Sequence, residues 1–239
     1  MRFNEKRFAE EYEERLTGEG YPGNLLQEVQ DHIGPVDSII DAGAGAGHFT
    51  IPLAAEGHHV TAIEPSREMT ALLQGKINSS IASRITIVQS TWEEWDGEKA
   101  DALICIHAIY GMKERAASLI KMHAKAHTSI LIFRAESGSR SCSDLIRSEL
   151  GISRGPLGME PSIRDILTRE GIPFTVTPLI QERIRTYTDP ETEAEYYCYH
   201  LGLGNEKKDA VMDILLRHST REGGAYNFTG TYHDLLFCF

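Results

Sequence analysis

An alternation of short apolar stretches with longer amphipathic ones runs through residues 36–134 and constrains the fold more than any other feature of the chain. The apolar stretches are rich in isoleucine, valine and leucine, as is typical of strands that helices cover on both faces. The predicted strands are Val36–Asp41, His58–Glu64, Arg84–Gln89, Asp101–Ile106 and Ser129–Arg134. The predicted helices between them are Gly47–Glu56, Ser66–Ile77 and Lys113–His127. This order predicts an α/β fold with a parallel, doubly wound sheet and right-handed crossovers.

Helical and β-rich segments flank this alternation. Apolar residues every fourth position predict a helix over residues 4–17, and a second helical run ends near Ile33. After Arg134 we expect serine-capped helices, one of which starts at Ser162, a strand over residues 172–180 and a helix that starts at Asp189. A helix near residues 206–217 and a β-rich run over 225–239 follow. No linker or repeat divides the chain, so we expect one domain over residues 1–239, with a helical elaboration after the fifth strand.

Composition and charge limit the kinds of molecule that the protein can bind. The 239 residues carry a formal net charge of −11, which repels polyanions and makes a nucleic-acid partner unfavourable. Acidic residues crowd the first helix, Glu13 among them, and such a charge run is usually a solvated face. The longest apolar run, Ala102–Tyr110, is too short to cross a bilayer, so we expect no membrane partner. Four scattered cysteines indicate free thiols and a cytoplasmic location, and no histidine spacing indicates a metal site.

A glycine-rich loop follows the first predicted strand, in the sequence DAGAGAGH. A dinucleotide fingerprint would need a third glycine where His48 stands. Asp41 directly before the glycines would repel a pyrophosphate and attract the ammonium group of an amino-acid ligand. No Gly-Lys-Ser/Thr follows, which excludes a Walker-type phosphate loop. Glu64, which ends the second strand, can accept hydrogen bonds from both hydroxyls of a ribose. That contact alone would fit NAD equally well.

Taken together, these residues resemble a known family. The stretch Ile39–Met69, IIDAGAGAGHFTIPLAAEGHHVTAIEPSREM, is similar to the class I S-adenosylmethionine-dependent methyltransferases, in the small type 11/12-like group. The resemblance continues more weakly over residues 12–239. It implies a Rossmann-like, mostly parallel seven-stranded sheet with helices on both faces. It also implies S-adenosyl-L-methionine as cofactor and methyl transfer to an unidentified small-molecule acceptor. In this family the amino-terminal segment, here residues 1–33, often forms a lid over a core that corresponds to 34–134, with substrate-side elements in 135–239.

The resemblance also implies roles for individual residues. Asp41 and the Gly43–Gly45 backbone would hold the methionine end of the cofactor, Glu64 the ribose, and Pro65 and Met69 the adenine. The complete set of predicted cofactor-binding residues is Asp41, Gly43, Ala44, Gly45, Glu64, Pro65, Met69, Ser90, Thr91, Trp92, Ile106 and His107. The family often has an acid where this chain has Ser90, Thr91 and Trp92. An alternative is that Trp92 and Trp95 are surface aromatics of a short helix.

Two residues after the fourth strand are candidates for catalysis. His107 could take a proton from the acceptor, or it could only pack at the strand end, because methyl transfer can rely on positioning alone. Tyr110 is a candidate wall of the pocket. No NPPY-type tetrapeptide is present at this position, which disfavours methylation of nucleic-acid bases.

Residues around the carboxyl edge of the sheet are candidates for the acceptor pocket. Arg134, Glu136 and Arg140 follow the fifth strand at the carboxyl edge of the sheet. Four tyrosines could line the same pocket or only pack in the core: Tyr12, Tyr21, Tyr196 and Tyr199. His200 shares a helical face with Tyr196. We hypothesise that Arg134 and these tyrosines shape a pocket for a small polar or aromatic metabolite.

Other functional classes stay open. A non-catalytic S-adenosylmethionine-binding regulator and an NAD-type oxidoreductase are the alternatives, and His48 and Asp41 disfavour the second. A homodimer is compatible with the sequence, and the acceptor atom is left open.

Overall fold

The computed structural model describes residues 2–153 and 158–239 and shows a mixed sheet flanked by helices. The strands are β1 (Ser38–Ala42), β2 (His59–Ile63), β3 (Ile85–Val88), β4 (Ala100–Ile106), β5 (Ala126–Arg134), β6 (Thr175–Tyr187), β7 (Thr220–Glu222) and β8 (Ala225–Cys238). Seven of them follow the order β3-β2-β1-β4-β5-β8-β6, and β7 pairs with β8 off this path. The predicted doubly wound sheet is confirmed, with β7 as an additional short strand.

The sheet changes direction of winding between β1 and β4. The pairs β1–β2, β2–β3, β1–β4 and β4–β5 are parallel, whereas β8 pairs antiparallel with β5, β6 and β7. The chain therefore moves outward on one side from β1 to β3 and on the other from β4 to β5. In open α/β sheets such a switch point leaves a crevice at the carboxyl ends of the strands, where ligands bind.

The helices surround the sheet. They are α1 (Lys6–Gly18), α2 (Leu25–Ile33), α3 (Thr50–Ala55), α4 (Arg67–Lys76), α5 (Arg115–Lys125), α6 (Cys142–Glu149), α7 (Met159–Arg169), α8 (Pro190–Leu201) and α9 (Lys208–Arg217). Local capping explains several starts. Ser141 and Asp144 form a reciprocal capping box at α6, and Asp189 caps α8 with Pro190 in its first turn.

The predicted start of α7 is wrong. The helix begins at Met159 rather than after a cap at Ser162, and Gly158 precedes it with a φ of +102°. The carboxylate of Glu136, from the segment after β5, accepts hydrogen bonds from the backbone N–H groups of Gly158 and Met159, the latter at 2.7 Å. A distant side chain therefore satisfies the free amides of this helix end, and no local sequence pattern records it.

Two apolar clusters cover the opposite faces of the sheet. Leu103 and Phe133 face one cluster, which α5 and α7 complete. Ile104 and Ile132, the alternate positions on the same strands, face the other, which α2 and α3 complete. A third cluster lies among α6, α8 and α9 and the far ends of β6 and β8. In the described ranges no helix is long and apolar enough to cross a membrane.

Candidate functional site

One cavity of about 750 Å³ opens at the carboxyl ends of the parallel strands. Its walls come from the loop after β1, the ends of β2, β4 and β5, helix α1 and strand β6. Cavities of about 300–1,000 Å³ suit small-molecule ligands. Among the described residues no group of three or more potential metal ligands comes together.

The glycine loop forms one end of this cavity. Asp41 is 2 % exposed and its Oδ2 accepts a hydrogen bond from Thr50 Oγ1 at 2.6 Å. Burial raises the pKa of Asp41 to about 7; the hydrogen bond from Thr50 opposes this, and the nearby charge of Glu64 adds to it. Gly43 has a φ of +89°, and a Cβ there would lie 2.3 Å from Ala108 Cβ. Only glycine fits between the loop and the residues after β4.

Glu64 is held by the backbone of the same loop. Its carboxylate accepts hydrogen bonds from the N–H of Gly45 at 2.9 Å and of Ser66 at 2.8 Å. Burial raises the pKa of Glu64, although these two bonds act in the opposite direction. A carboxylate has about four lone-pair sites, so Glu64 retains acceptors for a ligand in the cavity that it lines.

The residues predicted for the adenine side are only partly brought together. Pro65, Met69, Thr91 and Trp92 line the cavity with Ala44 and Gly45. Ser90 is not among the lining residues, and its hydroxyl donates to Thr91 O at 3.0 Å. The alternative that Trp92 and Trp95 are surface aromatics of a short helix is wrong. The two side chains are only 3 % and 8 % exposed and stack on each other in the core, and they lie on a turn. The Trp92 Nε1–H donates to Ser118 O at 3.2 Å.

Helix α1 closes a further side of the cavity. Tyr12, Glu13 and Leu16 from this helix line it, as does Tyr21 just after it. Glu13 Oε2 lies 2.9 Å from His48 Nε2, and Glu13 Oε1 also accepts from Lys76 Nζ. The expectation that Glu13 belongs to a solvated charge run is wrong, since its exposed fraction is 7 %. The sequence offers one signal for this burial: His48 and Lys76 are basic side chains with which the acidic Glu13 can pair.

The two candidate catalytic residues both line the cavity, beside Ile106 at the end of β4. His107 has a φ of +54°, and its backbone N–H donates to Ile132 O at 2.8 Å. Its Nε2 makes no hydrogen bond within the described residues. Burial and the charges of Arg134 and Arg183 lower the pKa of His107 to about 3, so the ring is neutral near pH 7. The half-exposed Tyr110 accepts a hydrogen bond through its hydroxyl from the Arg134 N–H at 2.5 Å.

Fewer of the predicted pocket residues line the cavity than the sequence indicates, because those on α8 lie elsewhere. Arg134, Tyr12 and Tyr21 line the cavity, whereas the α8 residues Tyr196, Tyr199 and His200 do not. Tyr196 and His200 stack with ring centroids 3.7 Å apart, and the Arg15 guanidinium lies over Tyr196. Glu136 caps α7, as described above, and Arg140 Nη2 lies 3.2 Å from His218 Nδ1.

A buried polar group on β6 and β8 was not predicted at all. Gln181 and Arg183 on β6 are 5 % and 6 % exposed, and Asp234 on β8 is 1 % exposed. Arg183 lines the cavity, and its guanidinium lies 4.8 Å from the centroid of the Tyr21 ring. The available signal was the alternation of Leu179, Gln181 and Arg183, which places all three on one face of a strand.

Comparison with known proteins agrees with this geometry. Residues 39–127 match the methyltransferase domain family. The fold is similar to that of an Anabaena variabilis protein described as a candidate methyltransferase of an antibiotic biosynthesis pathway, with a TM-score of 0.65 and 14 % identity over 90 % of this chain and 96 % of that one. A Bacillus halodurans protein described as a candidate methyltransferase has a TM-score of 0.57 and 13 % identity over 90 % and 98 % of the two chains.

Curated relatives match over shorter stretches. The ubiquinone biosynthesis O-methyltransferase of Rickettsia akari is 42 % identical over 74 residues, which are 30 % of this chain and 28 % of that protein. The ribosomal RNA small subunit methyltransferase A of an Anaeromyxobacter species is 37 % identical over 54 residues, 23 % of this chain and 18 % of that protein. The matched stretch thus spans less than a third of these relatives.

The fold is the Rossmann-like fold of these solved structures. Within it, residues 39–127, which include the glycine loop and Glu64, are the part of the chain that matches the methyltransferase domain family.

Proposed function

We propose that this protein transfers a methyl group from S-adenosyl-L-methionine to a small-molecule acceptor. The observation that carries the proposal is the single cavity that joins Asp41 and Glu64 to His107 and Arg134. The acids occupy the ends of β1 and β2, and the other two residues follow β4 and end β5. One ligand with a cationic amino-acid end and a ribose, and a second ligand beyond it, would fit this arrangement.

The residues at the glycine loop fit the cofactor. Asp41 would bind its α-ammonium group, because a buried carboxylate gains most from a cationic partner. Glu64 would accept hydrogen bonds from the ribose hydroxyls, and Pro65 and Met69 would pack against the adenine. At Gly45, with a φ of +55°, no atom lies within 4 Å of the place of a Cβ, which leaves the backbone open to a ligand.

The cofactor, when bound, supplies an electrophilic methyl group on a sulfonium. The chain would contribute orientation and the exclusion of water. Tyr12, Leu16 and Tyr21 would cover the cavity as part of a lid formed by residues 1–33, and Glu13 would hold that lid against His48. His107 would act at the methyl-accepting side, with Tyr110 as the wall.

Charge and the size of the cavity favour a small acceptor. A net charge of −11 disfavours RNA, although one of the matched relatives is a ribosomal RNA methyltransferase. The free cysteines Cys105, Cys142, Cys198 and Cys238 fit a reducing compartment, and we place the reaction in the cytoplasm.

Calorimetry tests the cofactor assignment. We expect S-adenosylhomocysteine to bind, and Asp41→Ala and Glu64→Ala to weaken it about tenfold or more, the effect of losing a hydrogen bond to a charged group. Asp209→Ala removes an exposed acid of α9 outside the cavity and should leave the affinity unchanged. Unchanged affinity in the first two variants, or saturable NADH binding in place of S-adenosylhomocysteine, would contradict the proposal. Tight cofactor binding with no turnover on a broad panel of metabolites would instead indicate a regulator.

A further inference from the structure

We propose that Arg134 and Arg183 bind a carboxylate of the acceptor, which makes the substrate a small monoanionic molecule. The inference rests on the proposed function and specifies its substrate class. Arg134 ends β5 and Arg183 lies within β6, and β8 runs between these two strands. Both side chains line the cavity that His107 also lines.

Aromatic rings hold the two guanidinium groups in place. Arg183 lies over the rings of Tyr21 and Tyr232, 4.8 Å and 4.7 Å from their centroids. Arg134 lies 4.5 Å from the centroid of the same Tyr232 ring. Stacked guanidinium groups lose little further freedom when an anion binds, and their planar donors match a carboxylate.

The protein leaves part of this positive charge without a hydrogen-bonded partner. Arg183 is 6 % exposed; its Nη2 donates to Gln181 Oε1 at 3.2 Å, and its Nε has no partner in the described part of the chain. Arg134 Nη1 lies 3.4 Å from Asp234 Oδ1, but neither atom makes a hydrogen bond. Gln181 Nε2 donates to Asp234 Oδ2 at 3.1 Å. Asp234 therefore contacts Arg134 directly and is linked to Arg183 through Gln181.

Neighbouring charges do not remove this excess. Arg15 and Arg185 both bind Glu193, the latter through two hydrogen bonds of 2.9 Å. Glu19 accepts from the Tyr232 hydroxyl at 3.2 Å; burial raises its pKa, and the charges of Arg185, Arg183 and Arg15 oppose this. Glu193 therefore offsets Arg15 and Arg185, while the charge of Glu19 is spread over three arginines. Arg147 also lines the cavity and adds a further positive charge there. His107 is uncharged near neutral pH. Among the described carboxylates, Asp234 alone lies within 4 Å of Arg134, and none lies that close to Arg183.

A pair of guanidinium groups that one carboxylate contacts fits a monoanion better than a dianion. Burying a guanidinium without a counter-charge costs free energy, and an incoming carboxylate would offset that cost through paired N–H donors. In this role the carboxylate positions the acceptor in the cavity.

Ligand-observed NMR on the full chain tests this inference with defined probes. Phenylacetate provides a monoanion, phenylacetamide its neutral counterpart of the same shape, and phenyl phosphate a group of higher charge. Each is titrated to about 10 mM, the range of weak binding, with and without S-adenosylhomocysteine. The variants are Arg134→Gln, Arg183→Lys, which keeps the charge but not the planar fork, and Arg169→Gln. Arg169 is an exposed arginine of α7 outside the cavity and serves as the matched control.

We expect phenylacetate to bind about tenfold tighter than phenylacetamide, and Arg134→Gln and Arg183→Lys to remove most of that difference. Arg169→Gln should change nothing. Equal binding of acid and amide, tighter binding of phenyl phosphate, or no binding of phenylacetate would each overturn the inference. The comparison of the probes needs no variant, so it holds even if a substitution at the buried Arg183 unfolds the protein. Loss of S-adenosylhomocysteine binding with retained preference for phenylacetate would refute the proposed function and leave the anion site standing.

Discussion

Glu13 of α1 and His48 of the glycine loop are in contact through Oε2 and Nε2 at 2.9 Å, although 35 positions separate them in the chain. Lys76 at the end of α4 also binds Glu13, and it donates to Ala46 O at 3.1 Å. One buried carboxylate thus connects the amino-terminal helix to both sides of the glycine loop.

Replacing Glu13 should loosen this connection. Burial raises the pKa of Glu13, but the hydrogen bonds from His48 and Lys76 outweigh it and lower the pKa overall. The contribution of Glu13 to stability is therefore present above its unfolded pKa and is lost as pH falls through the lower folded value. We expect Glu13→Ala to reduce the free energy of unfolding at pH 7 by about 2 kcal/mol and to increase amide exchange in α1. Glu14→Ala, at an exposed position of the same helix, should do neither.

Gly43 should tolerate no side chain. An alanine there would combine a positive φ, which costs about 1–2 kcal/mol, with a Cβ 2.3 Å from Ala108 Cβ. Overpacking typically adds about 1–3 kcal/mol. Gly57 also has a positive φ, +116°, but open space around its Cβ position, so Gly57→Ala isolates the backbone cost. Urea denaturation should show the larger loss for Gly43→Ala, and equal losses in the two variants would contradict the close approach.

Asp41 should make the protein less stable as pH rises. Its pKa is raised from 3.8 to about 7 in the folded chain, so its favourable contribution is present below pH 4 and is lost as pH rises through 7. Asp41→Asn removes the titration, and its stability relative to the native protein should increase between pH 4 and pH 8 by up to about 4 kcal/mol. Urea unfolding at the two pH values measures this, with the exposed Asp37→Asn as control. A constant difference between native protein and Asp41→Asn would refute it.

His107 should remain neutral throughout the range in which enzymes are assayed. With a pKa of about 3, its imidazole signals in an NMR titration should not move between pH 5 and pH 9. Because the charge of Arg134 lowers this pKa, Arg134→Gln should raise it. Titration of His107 near its ordinary value of about 6.5 in the native protein would show that the site is more hydrated than the structure indicates.

The central part of the fold could be predicted because its signals are local. Strands β1 to β5 are apolar on both faces, and adjacent parallel strands bring their carboxyl ends together. Asp41 and Glu64 were expected at one site for this reason, and both line the cavity. The roles of individual residues in binding and catalysis stay predictions, as do the three-part division of the chain and a homodimer.

The remainder depends on pairings that no local pattern encodes. Asp234 lies opposite Arg134 on one side and Leu179 on the other only because β8 inserts antiparallel between β5 and β6. A shift of one residue in either register would turn Arg183 to the other face. Glu136 and Glu13 act at distant segments in the same way, on α7 and on the glycine loop.

The two backbone hydrogen bonds to Glu64 have a thermodynamic consequence for any ligand that this carboxylate receives. A free glutamate side chain loses conformational entropy worth about 1–2 kcal/mol when it is fixed in place. Here Gly45 and Ser66 fix the carboxylate during folding, so that loss precedes binding. A ligand hydroxyl therefore meets an acceptor whose rotamer is already selected. The binding free energy is not reduced by the entropy of ordering this side chain.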